Sequence, residues 1–142
     1  MRRGIDTTFL VEVEVRDHPH HEASRKHLDE ILDANDTLLL APQALLEFIH
    51  VVTDVRRFER PLSIERAVER AEEWWGAQEV AHAFPSAESV ALTLEWLRVH
   101  KLGRKRLLDT QLAATYHAHG ARSILSSNAR DFAIFGCFDT NG

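Results

Sequence analysis

The chain contains a single cysteine, Cys137, in its C-terminal tail. A lone cysteine closes no internal disulfide and offers no Cys-x-x-Cys pair to a metal. Long apolar runs are missing too: no window approaches the ~18 consecutive residues that cross a bilayer. The opening MRRGID runs into an acidic segment rather than the apolar stretch of a secretion signal. Together these absences lead to the expectation of a cytoplasmic protein. Low-complexity tracts, long linkers and internal repeats are also absent. With 142 residues, 44% hydrophobic and 27% charged, the expectation is a single domain over residues 1–142 around one core. Positive charge is in short supply, the formal net charge being -5. That disfavours nonspecific coating of nucleic acid, which draws on Lys and Arg contacts to phosphate. It leaves room for a carboxylate site that holds divalent metal, because such acids weigh on the formal charge even when a cation cancels them in use.

What is present is alternation. A minimal strand, RGID, leads into TTFLVEVEV. HHEASRKHLDEIL follows as an amphipathic helix with Ala23, His27, Leu28, Ile31 and Leu32 on one side. TLLLA suits a buried strand, and Pro42 stands at the first turn of the helix PQALLEFIHVVTDV. SIERAVERAEEWWGA is densely charged on one face, EVAHAF reads as a short strand, and SAESVALTLEWLRVHK is a helix with Ser86 as N-cap. RLLDTQLAATYHAHG is a helix ended by Gly120, and RSILSS is the last strand. Strands separated by helices imply an α/β sandwich around a mostly parallel sheet with right-handed crossovers. In that architecture ligands gather at the carboxyl edge of the sheet.

Four acids fall toward that edge. Asp6 follows the first strand, Glu47 lies in the first turns of the helix after the second, Asp109 opens the last long helix, and Asp131 comes shortly after the final strand. Each has a plainer account on its own. Asp6 suits an Asx-turn or helix cap before Thr7 and Thr8. Glu47 sits at the margin of the arc formed by Leu45, Phe48, Ile49 and Val52 and reads equally well as solvated surface. Asp109 and Asp131 suit helix starts, where a carboxylate meets the helix dipole. None of these accounts explains why all four share one edge. Carboxylate oxygens are hard ligands suited to Mg²⁺ or Mn²⁺, and such ions clamp the oxygens of an in-line phosphoryl displacement.

Three segments now bear comparison with a known family: GIDTTFL, LAPQALLEF, and GRKRLLDTQLAATYHAHGARSILSSNARDF. Their sequence and spacing resemble a PIN domain, and a chain of this length resembles the VapC-type toxins of bacterial toxin–antitoxin pairs. The resemblance implies a three-layer α/β/α sandwich and a metal-dependent endoribonuclease that uses Mg²⁺ or Mn²⁺. It implies metal-activated water as the nucleophile, RNA as substrate, a small antitoxin as partner, and a homodimer. Asp6 and Asp109 take the place of the family's main metal ligands. Glu47 completes the set or orients the attacking water, Asp131 with Asn128 occupies the last corner, and Ser126 hydrogen-bonds near Asp6. Two departures stand out. Thr8 occupies a position where Asn or Ser is frequent, and Arg2 and Arg3 replace apolar residues in the first strand, so its N-terminal end is expected to be exposed. Asn128 stands where an Asp is sometimes found.

Lys101, Arg104, Lys105 and Arg106 precede Asp109 and are candidates for gripping RNA phosphates, a solvated basic loop being the alternative. The DHPHHE tract, with His18, His20 and His21, lacks the partners of a zinc site and reads more simply as a polar turn. His117 and His119 suit the C-terminal dipole of their helix. Of the adjacent Trp74 and Trp75, one belongs in the core and the other under a partner. A haloacid-dehalogenase-type phosphatase wants a second Asp where Thr8 stands, and the Gly-x-x-x-x-Gly-Lys-Ser/Thr of a P-loop enzyme is absent. The remaining alternative is a catalytically weak PIN-like module that binds RNA or protein without cutting.

Overall fold

The computed structural model describes residues 1–139, so the last three residues of the expected domain lie outside it. Short apolar runs make its centre. Strand β1 (Arg2–Ile5) ends in two buried residues, β2 (Thr37–Leu40) in three, and β4 (Ser123–Leu125) is buried throughout. Consecutive rather than alternating burial is what parallel strands show when helices cover both faces. β3 (Val80–His82) is a half-exposed edge. The order is β3-β2-β1-β4 and every pairing is parallel.

Helices α1 (Thr7–Glu14) and α2 (His21–Asp33) link β1 to β2, and α3 (Pro42–Val52) and α4 (Ile64–Gly76) link β2 to β3. The chain then reverses direction across the sheet. α5 (Ala87–Val99), a 3-10 helix (Arg104–Arg106) and α6 (Leu107–Ala118) carry it back to β4, and a second 3-10 helix (Ala129–Phe135) follows. Right-handed crossovers in opposite directions place α1 to α4 on one face and α5 and α6 on the other. The packing agrees: α1 lies against α2 and α3, α3 against α4, and α5 against α6. The result is the three-layer α/β/α sandwich that the resemblance implied.

Local chemistry fixes the element ends. Pro42 occupies the first turn of α3, where its missing N–H costs nothing. Ser86 and Ser89 cap α5 reciprocally. Gly120, at φ 83°, ends α6 in the left-handed conformation that favours glycine. One expectation needs correction: on α2 Ala23 is exposed, and the buried stripe runs through Ser24, Leu28 and Ile31. Buried Glu12 on α1 turns the helix this way, because the Ser24 hydroxyl donates to its Oε1 at 2.8 Å. At the exposed start of β1, Arg2 donates to the His119 carbonyl and Arg3 pairs with Asp36 at 2.9 Å.

Tyr116 connects the sheet to the site. It is fully buried, and its ring lies so close over Gly4 that a Cβ there would come within 2.3 Å of a ring carbon. Its hydroxyl donates to the Ile5 carbonyl at 2.5 Å and accepts from the Ala41 N–H at 3.1 Å. One side chain on α6 therefore ties the last residue of β1 to the residue before α3. Burial pushes its phenol far above the ordinary range, so it acts as a neutral latch. Among the described residues no helix is long and apolar enough to cross a membrane.

Candidate active site

The reversal after β3 makes the carboxyl ends of β1 and β4 a topological switch point, where open α/β sheets bind ligands. Asp6 and Ser126 are the residues that follow those two strands directly. The Asp6 N–H continues the β1–β4 ladder by donating to Leu125 O at 3.0 Å. Asp6 is 7% exposed, and its carboxylate is surrounded by donors. Thr7 N–H donates to Oδ1 at 2.9 Å, while Ser126 Oγ and Thr8 Oγ1 reach Oδ2 at 2.6 and 3.2 Å. Each hydroxyl also accepts a backbone N–H, Thr8 from Ser127 at 3.0 Å and Ser126 from Asn128 at 2.9 Å. With an acceptor role filled by amides, both hydroxyls are set to point their protons at Asp6. Asp6 is thus the N-cap of α1 and a fixed carboxylate at once, so the cap account holds and the carboxylate is also held at the cleft. Thr8 supplies here the hydroxyl that a serine would supply.

Glu47 approaches from α3. It is exposed, and the Thr7 hydroxyl donates to its Oε2 at 3.0 Å while lying 3.4 Å from Ala44 O. Asp109 stands half-buried in the first turn of α6, yet makes no cap: the helix begins at Arg106 without a side-chain cap bond. Asp6, Glu47, Asp109 and Asn128 line one cleft of about 590 Å³. Burial raises the Asp6 carboxyl above the ordinary carboxylate value against the pull of its hydrogen bonds, with Glu47 adding to the rise. Asp109 is raised by burial and then by the charge of Asp6, with smaller contributions from Glu47 and Asp131, while Arg106 pulls it down. The acids therefore sense one another across the cleft.

Asp131 is placed differently. It lies exposed on the second 3-10 helix and does not line the cleft, although its charge reaches Asp109. Arg106 donates through Nη2 to the Asp131 carbonyl, and its Nε is buried without a partner. Arg104 and Lys105 are exposed on the 3-10 helix before α6 and do not line the cleft. Sequence reasoning passed over Ser127 and Arg57 and gave Thr7 and His18 no place in the site, yet all four line the cleft. Its place next to a candidate acid was a signal for Thr7. Nothing periodic marks the loop that brings in Arg57.

The histidine tract is a hydrogen-bonded turn, as its plainer account held. His18 Nδ1 accepts from the His20 N–H, His21 Nδ1 meets the Glu12 carbonyl at 2.9 Å, and His20 lies 3.8 Å from the Glu12 carboxylate. Trp74 is buried with its Nε1 donating to Glu14, whereas Trp75 is half-exposed and stacked on His82.

The donor set is chemically suited to a hard divalent cation: oxygen ligands that raise one another's pKa gain from one. Among the described residues no three His, Cys, Asp or Glu side chains form a ready metal-binding group.

The sequence model of the PIN domain family matches residues 5–135. Ribonuclease VapC37 of Mycobacterium tuberculosis is 31% identical over 116 residues, 82% of this chain and 79% of the relative. Ribonuclease VapC24 of the same species is 28% identical over 138 residues, 94% and 90% of the two chains. Two solved structures share the fold. VapC20 of Mycobacterium tuberculosis, described as a sarcin–ricin loop cleaving toxin, superposes with TM-score 0.71 at 17% identity and 95% coverage of both chains. VapBC2 of Rickettsia felis, bound to a DNA fragment from its promoter, gives 0.69 at 16% identity, covering 97% of this chain and 96% of that one.

Proposed function

This chain belongs to the PIN domain family, and on that premise we propose that it is a divalent-metal-dependent endoribonuclease, the toxin of a toxin–antitoxin pair. The observation that carries the reading is the convergence of Asp6, Glu47 and Asp109 on one cleft at the switch point of the sheet. The names of the VapC ribonucleases support RNA as the substrate. The VapBC2 assembly supports an antitoxin partner by analogy of fold, and a homodimer in the cytoplasm completes the proposal.

Asp6 and Asp109 would hold Mg²⁺ or Mn²⁺. Such an ion, when bound, acidifies water and stabilises charge that develops on a phosphodiester. The chain's own part is preorganisation. Ser126, Thr8 and the Thr7 amide hold Asp6 in one orientation, so no reorganisation is needed when a ligand arrives. Thr7 holds one oxygen of Glu47 and leaves Oε1 to take a proton from an attacking water. Asn128 offers an amide to the substrate at the cleft wall, and Arg104, Lys105 and Arg106 present cations beside it.

Purified protein should cut structured RNA with Mg²⁺ or Mn²⁺, and chelator, Asp6→Asn or Asp109→Asn should abolish cutting. If the wild type bound RNA equally with and without metal and cut no transcript, the noncatalytic binding module would replace this reading.

A further inference from the structure

The cleft has a second wall, which the carboxylates do not explain. It is built by the turn between α1 and α2, which supplies His18, and by the segment between α3 and α4, which supplies Arg57. The His18 ring is half-buried and held. Its Nδ1 accepts the His20 backbone N–H at 3.0 Å and the two imidazoles meet edge to face. With Nδ1 committed as an acceptor, the ring proton of the neutral imidazole sits on Nε2. Arg57 is 61% exposed and held only loosely, its Nε 3.5 Å from Asp54. Asp17 shares the wall, so an anion there would be held by individual donors rather than by bulk positive charge.

Resting on the ribonuclease reading, we propose that His18 and Arg57 form a phosphate-binding subsite for single-stranded RNA within the cleft that Asp6 and Asp109 line. These two donors lie in the same cleft as the acids Asp6, Glu47 and Asp109. A strand crossing the cleft then places one phosphate over Asp6 and Asp109 and a neighbouring phosphate against His18 Nε2 and the Arg57 guanidinium. The same feature gives direction to the acidic floor: a polyanion approaches carboxylates only where flanking donors hold its other phosphates.

The test is binding of a fluorescein-labelled, mixed-sequence single-stranded RNA to the full chain, read by anisotropy with Ca²⁺ present and NaCl varied. His18→Ala and Arg57→Ala should each weaken binding by roughly ten-fold, the worth of one hydrogen bond to a charged group. Arg57→Ala should also flatten the salt slope by about 0.7, the release of one counterion from a single strand. His18→Gln, whose amide keeps a donor, should retain most of the affinity. Wild-type affinity and slope in both alanine variants would overturn the subsite. So would a loss that His18→Gln fails to rescue and that leaves the Arg57→Ala slope unaltered, since damage to the fold behaves that way. Because the readout is binding, the catalytic reading fails separately. A wild type that binds RNA but never cuts it with Mg²⁺ or Mn²⁺ sinks the nuclease, and the same variants still decide the subsite. A wild type that binds no RNA overturns both.

Discussion

The two aspartates that follow strands β1 and β4 sit within the same edge of the sheet and have opposite surroundings. Asp6 is buried, and three donors fix its two oxygens. Asp131 is exposed, and it is its backbone carbonyl, not its carboxylate, that Arg106 engages. Between them lies Asp109, half-buried and sensing both charges. A carboxylate in the first setting has lost its freedom to rotate before any ligand arrives, and the cost of burying it has been met by the fold. One in the second setting keeps both its water and its rotamers. The position of an acid near a strand end therefore says little by itself; what separates a fixed ligand from a surface charge is the number of donors already pointing at it.

The largest effect should come from breaking the closed corner. Asp6→Asn turns an amide donor toward groups that already donate to this corner and removes a proposed ligand, as Asp109→Asn removes one on the other side of the cleft. Each should lower Mg²⁺-dependent cleavage by at least ~100-fold, beyond the range seen for supporting residues. Single-turnover kinetics with native folding checked by circular dichroism would measure it, and a loss under ten-fold would remove that residue from the metal site. Ser126→Ala leaves the ligand and removes its orientation. The expected cost is about 10- to 100-fold in Mn²⁺ affinity, read by calorimetry, and an unchanged affinity would show that the 2.6 Å contact only stabilises the fold.

Tyr116→Phe tests whether the closed corner is held from beneath. Removing the hydroxyl leaves the Ala41 N–H and Ile5 carbonyl buried without that partner. About 1–3 kcal/mol of stability should be lost, measured from the urea midpoint at constant m. A loss near zero would mean that water replaces the phenol.

The sequence disclosed this architecture wherever a local rule was strong. The Gly120 stop, the Pro42 start and the Ser86 cap each follow from one residue's backbone chemistry, and the structure has all three. The apolar run at 37–40 could be read as a buried strand because its length excluded a helix. The stripe expected on α2 holds at Leu28 and Ile31 but had Ala23 in place of Ser24, because Ser24 is polar and nothing in a hydropathy pattern reveals that Glu12 on another helix awaits its hydroxyl. In the same way Asp6, Glu47 and Asp109 were legible as acids near one edge. The resemblance set Asp6 and Asp109 before Asp131, but the hydrogen bond that holds Asp6 from a residue ~120 positions away was beyond what sequence spacing carries.

A smaller effect concerns pH in cation-free protein. Asp109 is raised above its ordinary value of 3.8, first by burial and then by Asp6. For an acid so raised, the protonated form favours the fold. Its contribution to stability is fully present below 3.8 and is lost as pH rises through the folded value. Asp36, held low by hydrogen bonding to Arg3, works in the opposite sense: its contribution is present above 3.8 and is lost as pH falls through its lowered value. In chelator, then, the urea midpoint should decline as pH rises from 3.8 through the folded value of Asp109, with Asp6 acting in the same sense, and Asp109→Asn should make that decline shallower. A midpoint that rose over the same interval in both proteins would contradict the direction assigned to Asp109.

The smallest effect belongs to the open corner. Asp131→Asn removes a charge that reaches Asp109 through solvent and breaks no hydrogen bond from Arg106, which grips the backbone carbonyl. Interactions between exposed charges are screened at ordinary ionic strength and are typically worth ~1 kcal/mol or less. Cleavage should therefore change by no more than about five-fold, with a slight fall in the Asp109 pKa because one repelling charge is gone. Arg106→Gln sharpens the contrast: it loses both the carbonyl contact and the cation that draws Asp109 down, so it should affect cleavage more than Asp131→Asn. If Asp131→Asn proved as damaging as Asp6→Asn, the exposed carboxylate would have to swing into the cleft during the reaction, and the division into a fixed corner and a free one would fail.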